Sequence, residues 1–262
     1  MKKLLIGGSP CVKWSIAQKN REIIPSGEGW ELFLNFIIAK EKFKPDYFLY
    51  ENNWSASSLI KEQISKELKE DIIRINSNLV SAQNRDRFYV FNWNYTPIKD
   101  RNIYLQDILE YGTTERKKSK TVRVGGRNSG WNNKHEWDMP NPQRTYTLTE
   151  IHRLQTMPDN YCASVSETAA WKALGNGWTA ELIIELLSQG LNFKKDEELI
   201  VLSLYDGIGT GRYCLDKMGF TNIKYFAYEI DKNAKKIAMS NYPDIIQCGN
   251  AFEIRKTDWI LK

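Results

Sequence analysis

Apolar and polar residues follow two rhythms along this chain, and their alternation predicts an α/β protein. Short apolar runs typical of buried strands occur at 4–6, 46–52, 71–80, 87–93, 199–204 and 223–230. Elsewhere apolar residues recur every three to four positions, which predicts helices over 30–43, 55–70, 147–157, 179–190, 212–219 and 232–242. Strands and helices that alternate in this way favour a sheet covered by helices.

Regular periodicity fades between about Tyr95 and Arg144, which indicates an insert or small lobe. The same stretch contains a basic segment without any acidic side chain, made up of Arg116, Lys117, Lys118, Lys120, Arg123, Arg127 and Lys134. Phosphate contact is one interpretation of such a segment, and a solvated basic loop is an equal alternative on charge alone. The net charge of +5 suggests an acidic partner only weakly.

Composition excludes several classes of protein. Hydrophobic residues make up 42% of the 262 residues and charged residues 26%, and no apolar run is long enough to span a membrane. The N-terminal apolar run is too short for a signal-peptide core, so we expect a cytoplasmic protein. The four cysteines are widely scattered, and only two histidines accompany them. Neither a disulfide framework nor a metal site is therefore expected.

A glycine turn follows the strand at 199–204 and opens a helix. Gly207, Gly209 and Gly211 in this position would let a ligand approach backbone N–H groups at the start of the helix. Glu229 ends the next strand, where a carboxylate can bind the ribose of a nucleotide-type cofactor. No ATP-type phosphate loop occurs, so a nicotinamide dinucleotide, S-adenosylmethionine or a purely structural turn remain the alternatives.

Cys11 stands at the end of the first strand, after two glycines and a Ser-Pro pair. A lone cysteine is usually a small buried residue. Here, however, Glu51 ends the next strand, and Arg85 and Arg87 flank the beginning of a later one. Ligands bind at the carboxyl ends of strands in open α/β sheets, so we expect a nucleophile, a carboxyl group and two guanidinium groups to converge there.

Eight short segments resemble motifs of the cytosine-C5 DNA methyltransferase family, and they are distributed over nearly the whole chain. They are "GGSPC", "YENN", "QNRDR", "LTEIHRLQTMPDNY", "ALGNGW", "SLYDGIGTG", "YEID" and "GNAF". Some, notably "GGSPC", are similar to the animal de novo branch and its phage and bacterial relatives. The resemblance implies a Rossmann-like methyltransferase sheet of the α/β class that uses S-adenosylmethionine.

The order of these motifs implies a circular permutation, because the cofactor motifs that normally open the family's chain stand at the end of this one. We expect a catalytic half at 1–94, a small target-recognition insert at 95–145, a helical closing segment at 146–191 and a cofactor-binding half at 192–262. Permutation is physically permissible where chain termini lie close together at the surface.

The resemblance also implies residue roles. Cys11 would attack cytosine C6, Glu51 would act at N3, Arg87 would contact the base carbonyl and Arg85 would order the site. The implied cofactor residues are Pro10, Asn176, Trp178, Tyr205, Asp206, Gly207, Ile208, Gly209, Thr210, Glu229, Ile230, Asn250 and Ala251. The implied nucleic-acid contacts are Lys117, Lys118, Lys120, Arg123, Arg127 and Asn128. The resemblance also implies that the target base is flipped out of its helix to reach the site.

The implied activity is that of a DNA (cytosine-5-)-methyltransferase acting on double-stranded DNA, in the setting of restriction and modification, with a cognate restriction endonuclease as a candidate partner. An RNA (tRNA) cytosine-C5 methyltransferase and a weakly active regulatory homologue are the alternatives. The family usually has Asp where this chain has Asn250, and Val where it has Asn53. An Asn amide oxygen can still accept a hydrogen bond, so we expect altered cofactor affinity at Asn250.

Overall fold

The computed structural model describes residues 1–123, 141–142 and 144–261. Within these ranges a single sheet contains strands β1 (Lys2–Gly7), β2 (Tyr47–Asn53), β3 (Ile73–Asn76), β4 (Asp86–Phe91), β5 (Leu199–Leu204), β6 (Ile223–Tyr228) and β7 (Ile246–Gly249). The described helices are α1 (Glu28–Phe43), α2 (Ser58–Leu68), α3 (Leu105–Ile108), α4 (Leu148–Leu154), α5 (Glu167–Asn176), α6 (Ala180–Gly190), α7 (Thr210–Lys217) and α8 (Lys232–Asn241).

The strands lie in the spatial order β3-β4-β2-β1-β5-β6-β7. Five of them, from β2 through β7 in that order, are parallel, whereas β4 runs antiparallel to both β2 and β3. Strands β1 and β5 are therefore direct neighbours, with Gly7 opposite Leu204, although they are far apart in sequence. The loops that follow β1, β2 and β5 consequently open at the same edge of the sheet.

Both faces of the sheet are covered, because successive side chains of a strand point to opposite faces. In β1, Leu4 and Ile6 face a core shared with α4 to α8, whereas Leu5 faces a second core shared with α1 and α2. The second core contains a cluster of aromatic side chains, in which Phe36 packs edge-on against Tyr50 with the ring centroids 5.1 Å apart. The expected α/β architecture is thus present.

Several elements differ from the sequence expectation. The strand expected over 71–80 spans only Ile73–Asn76, because the chain turns into a 3-10 helix in which the Asn76 side chain accepts a hydrogen bond from Asn78 N. The apolar pattern predicted neither helix α5 nor strand β7. Strand β7 has only four residues at the sheet edge, with none fully buried, so its apolar signal is weak.

The described part of the 95–145 segment packs against the main core, to which it contributes Leu105, Ile108 and Val122. Arg127 and Asn128 lie outside the described residues. A search of the described helices found none with the length and apolar character needed to cross a membrane.

Candidate active site

The loop after β1 holds Cys11 at a fixed place beside β2. Asn52, buried in β2, donates from Nδ2 to the Ser9 carbonyl at 2.9 Å and to the Tyr50 hydroxyl at 3.1 Å. Ser9 Oγ lies 2.7 Å from the same hydroxyl. Cys11 then begins a short 3-10 helix, and its side chain is half-buried. Buried hydrogen bonds therefore anchor the chain two residues before the cysteine.

Glu51 is held at both carboxylate oxygens. Its Oε1 lies 3.0 Å from Arg87 Nε, and its Oε2 accepts a hydrogen bond of 3.1 Å from Trp178 Nε1. The Glu51 and Arg87 side chains are only 12% and 10% exposed, so water screens this ion pair poorly. A Cβ built on Gly8 would lie 3.0 Å from Glu51 Oε2, which shows how closely the cysteine loop approaches the carboxylate.

Arg85 lies deeper, and among the described residues its guanidinium donates to backbone carbonyls. Its guanidinium donates to Gly177 O at 2.7 Å, to Gly175 O at 3.3 Å and to Val122 O at 3.3 Å. Burial, and secondarily the charge of Arg87, lower the pKa of Arg85 to about 10, whereas the charges of Glu51 and Cys11 raise it. Arg85 therefore stays charged at neutral pH. These interactions bring the four expected catalytic residues into one electrostatic neighbourhood, in which Arg85 braces the surrounding loops.

A buried amide network, which the sequence did not reveal, supports Arg85. Gln83 donates to Leu154 O and to Gln155 Oε1, and its own Oε1 accepts from Val122 N at 3.0 Å. Gln155 in turn donates to the carbonyls of Leu174 and Gly177. The network therefore joins the loop before β4, Val122 of the insert, the end of α4 and the segment around the end of α5. A polar residue in a sequence can indicate either an exposed position or a buried hydrogen-bond network, so no sequence pattern identified this network.

The turn after β5 has the backbone conformation that the glycines suggested. Gly207 and Gly209 have φ values of +63° and +77°, and a Cβ on Gly207 would meet open space. Asp206 lies half-buried behind the turn, where its Oδ1 accepts from Ser203 Oγ at 2.7 Å and from Tyr225 OH at 2.6 Å. Burial raises the Asp206 pKa to about 6. Its other oxygen, Oδ2, accepts no hydrogen bond from the described residues.

The remaining expected cofactor residues differ in their exposure and in their contacts. Glu229 Oε2 accepts from Gly207 N at 2.8 Å, which places the carboxylate beside the turn. Ile208, Thr210 and Ala251 are buried, whereas Pro10, Asn176, Ile230 and Asn250 are exposed. Asn250 caps the following 3-10 helix by accepting from Phe252 N. The Tyr205 hydroxyl donates to Leu32 O in α1, so its ring faces that helix.

S-adenosylmethionine suits this cleft by the chemistry of the groups present. The buried Asp206 Oδ2 needs a donor, the open space above Gly207 admits a ligand close to the backbone, and Glu229 offers a carboxylate to ribose hydroxyls. The fit rests on these three residues.

Within the basic segment, Lys118 has a structural role. Its ammonium group donates to the carbonyls of Asn78, Ser81 and Ile103 at 2.6 to 3.1 Å. These contacts use all three of its protons, so the expected phosphate contact of Lys118 does not agree with the structure. Lys117, Lys120 and Arg123 are exposed.

The family described as C-5 cytosine-specific DNA methylase matches residues 2–92 and 53–190, well over half of the chain. Similar solved structures include S. pombe Dnmt2 methyltransferase, with 17% identity over 72% of this chain and 79% of that chain and a TM-score of 0.46. A DNMT2 mutant from Spodoptera frugiperda has 16% identity, coverages of 71% and 78%, and a TM-score of 0.45.

A putative DNA modification methyltransferase encoded within an E. coli prophage has 16% identity over 72% of this chain and 79% of that chain, with a TM-score of 0.48. The family match, together with the helix-covered mixed sheet, confirms the Rossmann-like methyltransferase fold and S-adenosylmethionine as its cofactor. The chain therefore belongs to the C-5 cytosine-specific DNA methylase family.

Proposed function

We propose that the chain is a DNA (cytosine-5-)-methyltransferase that acts through a covalent bond between Cys11 and cytosine C6. The observation that carries the proposal is the convergence at one sheet edge of the Cys11 loop with the doubly held Glu51 and its partner Arg87. This group combines a nucleophile, a carboxyl group and a cation within a poorly hydrated site. The target base has to leave its helix to reach it.

In the proposed reaction, the Cys11 thiolate adds to C6 while the Glu51 carboxyl group supplies a proton at N3. Electron density then moves to C5, which becomes nucleophilic. S-adenosylmethionine supplies the methyl group that C5 receives. A base then takes the C5 proton, the C5–H electrons re-form the C5–C6 double bond, the C6–S bond breaks with Cys11 leaving as thiolate, and N3 returns its proton to Glu51. Arg87 would stabilise negative charge on the base carbonyl, and Arg85 would hold the loops around it.

The test is covalent trapping on duplex DNA that contains 5-fluorocytosine, because fluorine cannot leave C5 as a proton does. Wild type with S-adenosylmethionine should form an adduct that survives denaturation, and Cys11→Ser should form none. Cys248→Ser is the matched control, since Cys248 is also half-buried but lies in β7. Equal trapping by Cys11→Ser would exclude Cys11 as the nucleophile.

An RNA substrate is the second candidate, supported by the same site chemistry. Parallel reactions with duplex DNA and tRNA and a labelled cofactor separate the two. Methyl transfer to DNA alone would support the proposal, and transfer to RNA alone would replace it. If neither substrate reacts and calorimetry shows no S-adenosylmethionine binding, the regulatory alternative is favoured.

The proposed nucleic-acid surface consists of Lys117, Lys120 and Arg123, with Arg127 and Asn128 proposed from sequence only. The proposed setting is the cytoplasm of a bacterial or phage-infected cell, with a cognate restriction endonuclease as candidate partner. Replacing Lys117 by Gln should weaken DNA binding more at low salt than at high salt, because each phosphate contact releases counterions.

The proposed circular permutation is supported by the neighbouring positions of β1 and β5. Two further contacts place both terminal segments at the end of α1: Lys3 Nζ donates to Phe43 O at 3.1 Å, and Lys42 Nζ donates to Lys256 O at 2.7 Å. A chain opened within 192–198, with its present ends joined by a flexible linker, should fold and bind S-adenosylmethionine. Failure to fold would count against the permutation.

A further inference from the structure

Trp178 connects the loop between α5 and α6 to Glu51 in β2. Its indole Nε1 donates to Glu51 Oε2 at 3.1 Å, whereas Arg87 holds the opposite oxygen. Trp178 is half-buried, and its resemblance-based assignment concerns the cofactor cleft alone. The hydrogen bond to Glu51 is therefore a second task for this side chain.

The loop that carries Trp178 is itself braced. Gly177 O accepts from Arg85 Nη2 at 2.7 Å and from Gln155 Nε2 at 3.3 Å. A Cβ added to Gly177 would lie 3.8 Å from Ile208 Cδ1, so the loop rests against the glycine turn after β5. The loop that rests against the cofactor turn therefore also carries the donor that holds Glu51.

We propose that Trp178 is a positioning residue, which fixes the Glu51 carboxyl group for its task at N3 of the base. It does so only while the α5–α6 loop rests against the cofactor turn. The inference deepens the proposed function and rests on it. Arg87 alone would hold one oxygen and leave the carboxyl plane free to rotate. A second donor on the other oxygen removes that freedom, since two hydrogen bonds define the plane.

Trp178→Phe removes the donor and keeps an aromatic ring. At saturating cofactor, we expect its single-turnover methyl-transfer rate to fall by about tenfold or more, as for loss of a hydrogen bond to a charged group. Trp171→Phe is the matched control, because Trp171 lies in neighbouring α5 and its buried Nε1 has no acceptor among the described residues. It should leave this rate within about twofold of wild type.

Two readouts separate positioning from cofactor contact. Calorimetry should give Trp178→Phe an S-adenosylmethionine affinity within about twofold of wild type. Exchange of the C5 hydrogen with water, measured without cofactor, reports thiolate addition alone and should fall in parallel with methyl transfer. Lost cofactor affinity with unchanged exchange would overturn the inference and make Trp178 a cofactor contact.

Benzothienylalanine at position 178 keeps the bicyclic shape and lacks only the N–H donor, so it should reproduce the rate loss of Trp178→Phe. If it restores the wild-type rate, the shape of the ring matters and the hydrogen bond does not. In a Glu51→Gln background, Trp178→Phe should cost much less than it does in wild type, because its effect passes through Glu51.

Failure of the inference is distinguishable from failure of the proposed function. If wild type neither traps 5-fluorocytosine nor exchanges the C5 hydrogen, the proposed function fails. If wild type does both and Trp178→Phe matches it, the function stands and the positioning role is wrong.

Discussion

The most informative perturbation of the nucleophile loop is Asn52→Ala. Asn52 is 1% exposed, and its amide donates to the Ser9 carbonyl, to Ser9 Oγ and to the Tyr50 hydroxyl while accepting from Asn53 N at 2.8 Å. Ser9 Oγ and Tyr50 OH would keep each other as partners after truncation. The Ser9 carbonyl and the Asn53 N–H group would lose theirs.

Each buried polar group left without a partner costs about 1–3 kcal/mol, so the loss of two partners in Asn52→Ala should reduce the free energy of unfolding by about 2–6 kcal/mol. For a chain of this size the melting temperature should fall by about 5–15 °C. The freed loop also lets Cys11 move, and a small displacement of a nucleophile can cost about 100-fold in rate. Both effects arise from the same side chain.

Trapping on 5-fluorocytosine DNA, at a temperature where circular dichroism shows the variant folded, gives the rate effect, and urea unfolding gives the stability effect. Asn53→Ala is the control, because among the described residues its side chain accepts only from Ser55 N and its backbone stays in the β2–β4 ladder. A trapping rate for Asn52→Ala within about twofold of wild type would refute the argument that Asn52 positions Cys11.

Two further predictions concern the cofactor turn and the pH dependence of stability. Gly207→Ala should weaken S-adenosylmethionine binding in calorimetry, because its Cβ enters the open space above the turn. Gly219→Ala is the control, since Gly219 has a φ of +83° and its replacement causes a similar backbone strain of about 1 kcal/mol. Equal cofactor affinities in the two variants would contradict this prediction. Burial lowers the pKa of His152 below 6.5, and its Nε2 accepts a hydrogen bond from Cys162 N. As pH falls below 6.5, His152 is therefore protonated in the unfolded chain before it is protonated in the folded one, and the free energy of unfolding decreases. Asp206 has the opposite sign: its pKa of about 6 lies above the unfolded value of 3.8, so protonation stabilises the fold as pH falls through 6. Urea unfolding between pH 7.5 and 5 should show the advantage of wild type over His152→Gln shrinking towards acid pH, and a constant difference would exclude the His152 contribution.

Much of the fold could be predicted because the apolar pattern of each long element is strong. The strands at β1, β2, β5 and β6 and the helices α1, α6 and α8 begin and end close to the expected positions. Helix α5 escaped notice because "ETAAWKALGN" has few large apolar residues, and its burial of Trp171 and Leu174 depends on neighbours distant in sequence. Strand β7 is short and half-buried, so local pattern could not reveal it.

For the site, the residue types and their order identified Cys11, Glu51, Arg85 and Arg87 as a group. Spacing could not indicate which guanidinium pairs with the carboxylate. Arg87 does so, whereas Arg85 turns to carbonyls of the α5–α6 loop. The family resemblance likewise implied a nucleic-acid contact at Lys118, but the fold surrounds the Lys118 ammonium with three carbonyls.

The sequence by itself determined the family, the cofactor class and the glycine turn, because these depend on residue types at short spacings. Only the tertiary structure decided that Trp178 donates to Glu51, 127 residues away, and that Asn52 anchors the loop before Cys11. Such contacts depend on the distances and directions that strand order, register and loop packing create. Those quantities are properties of the whole folded chain, so no local stretch of sequence encodes them.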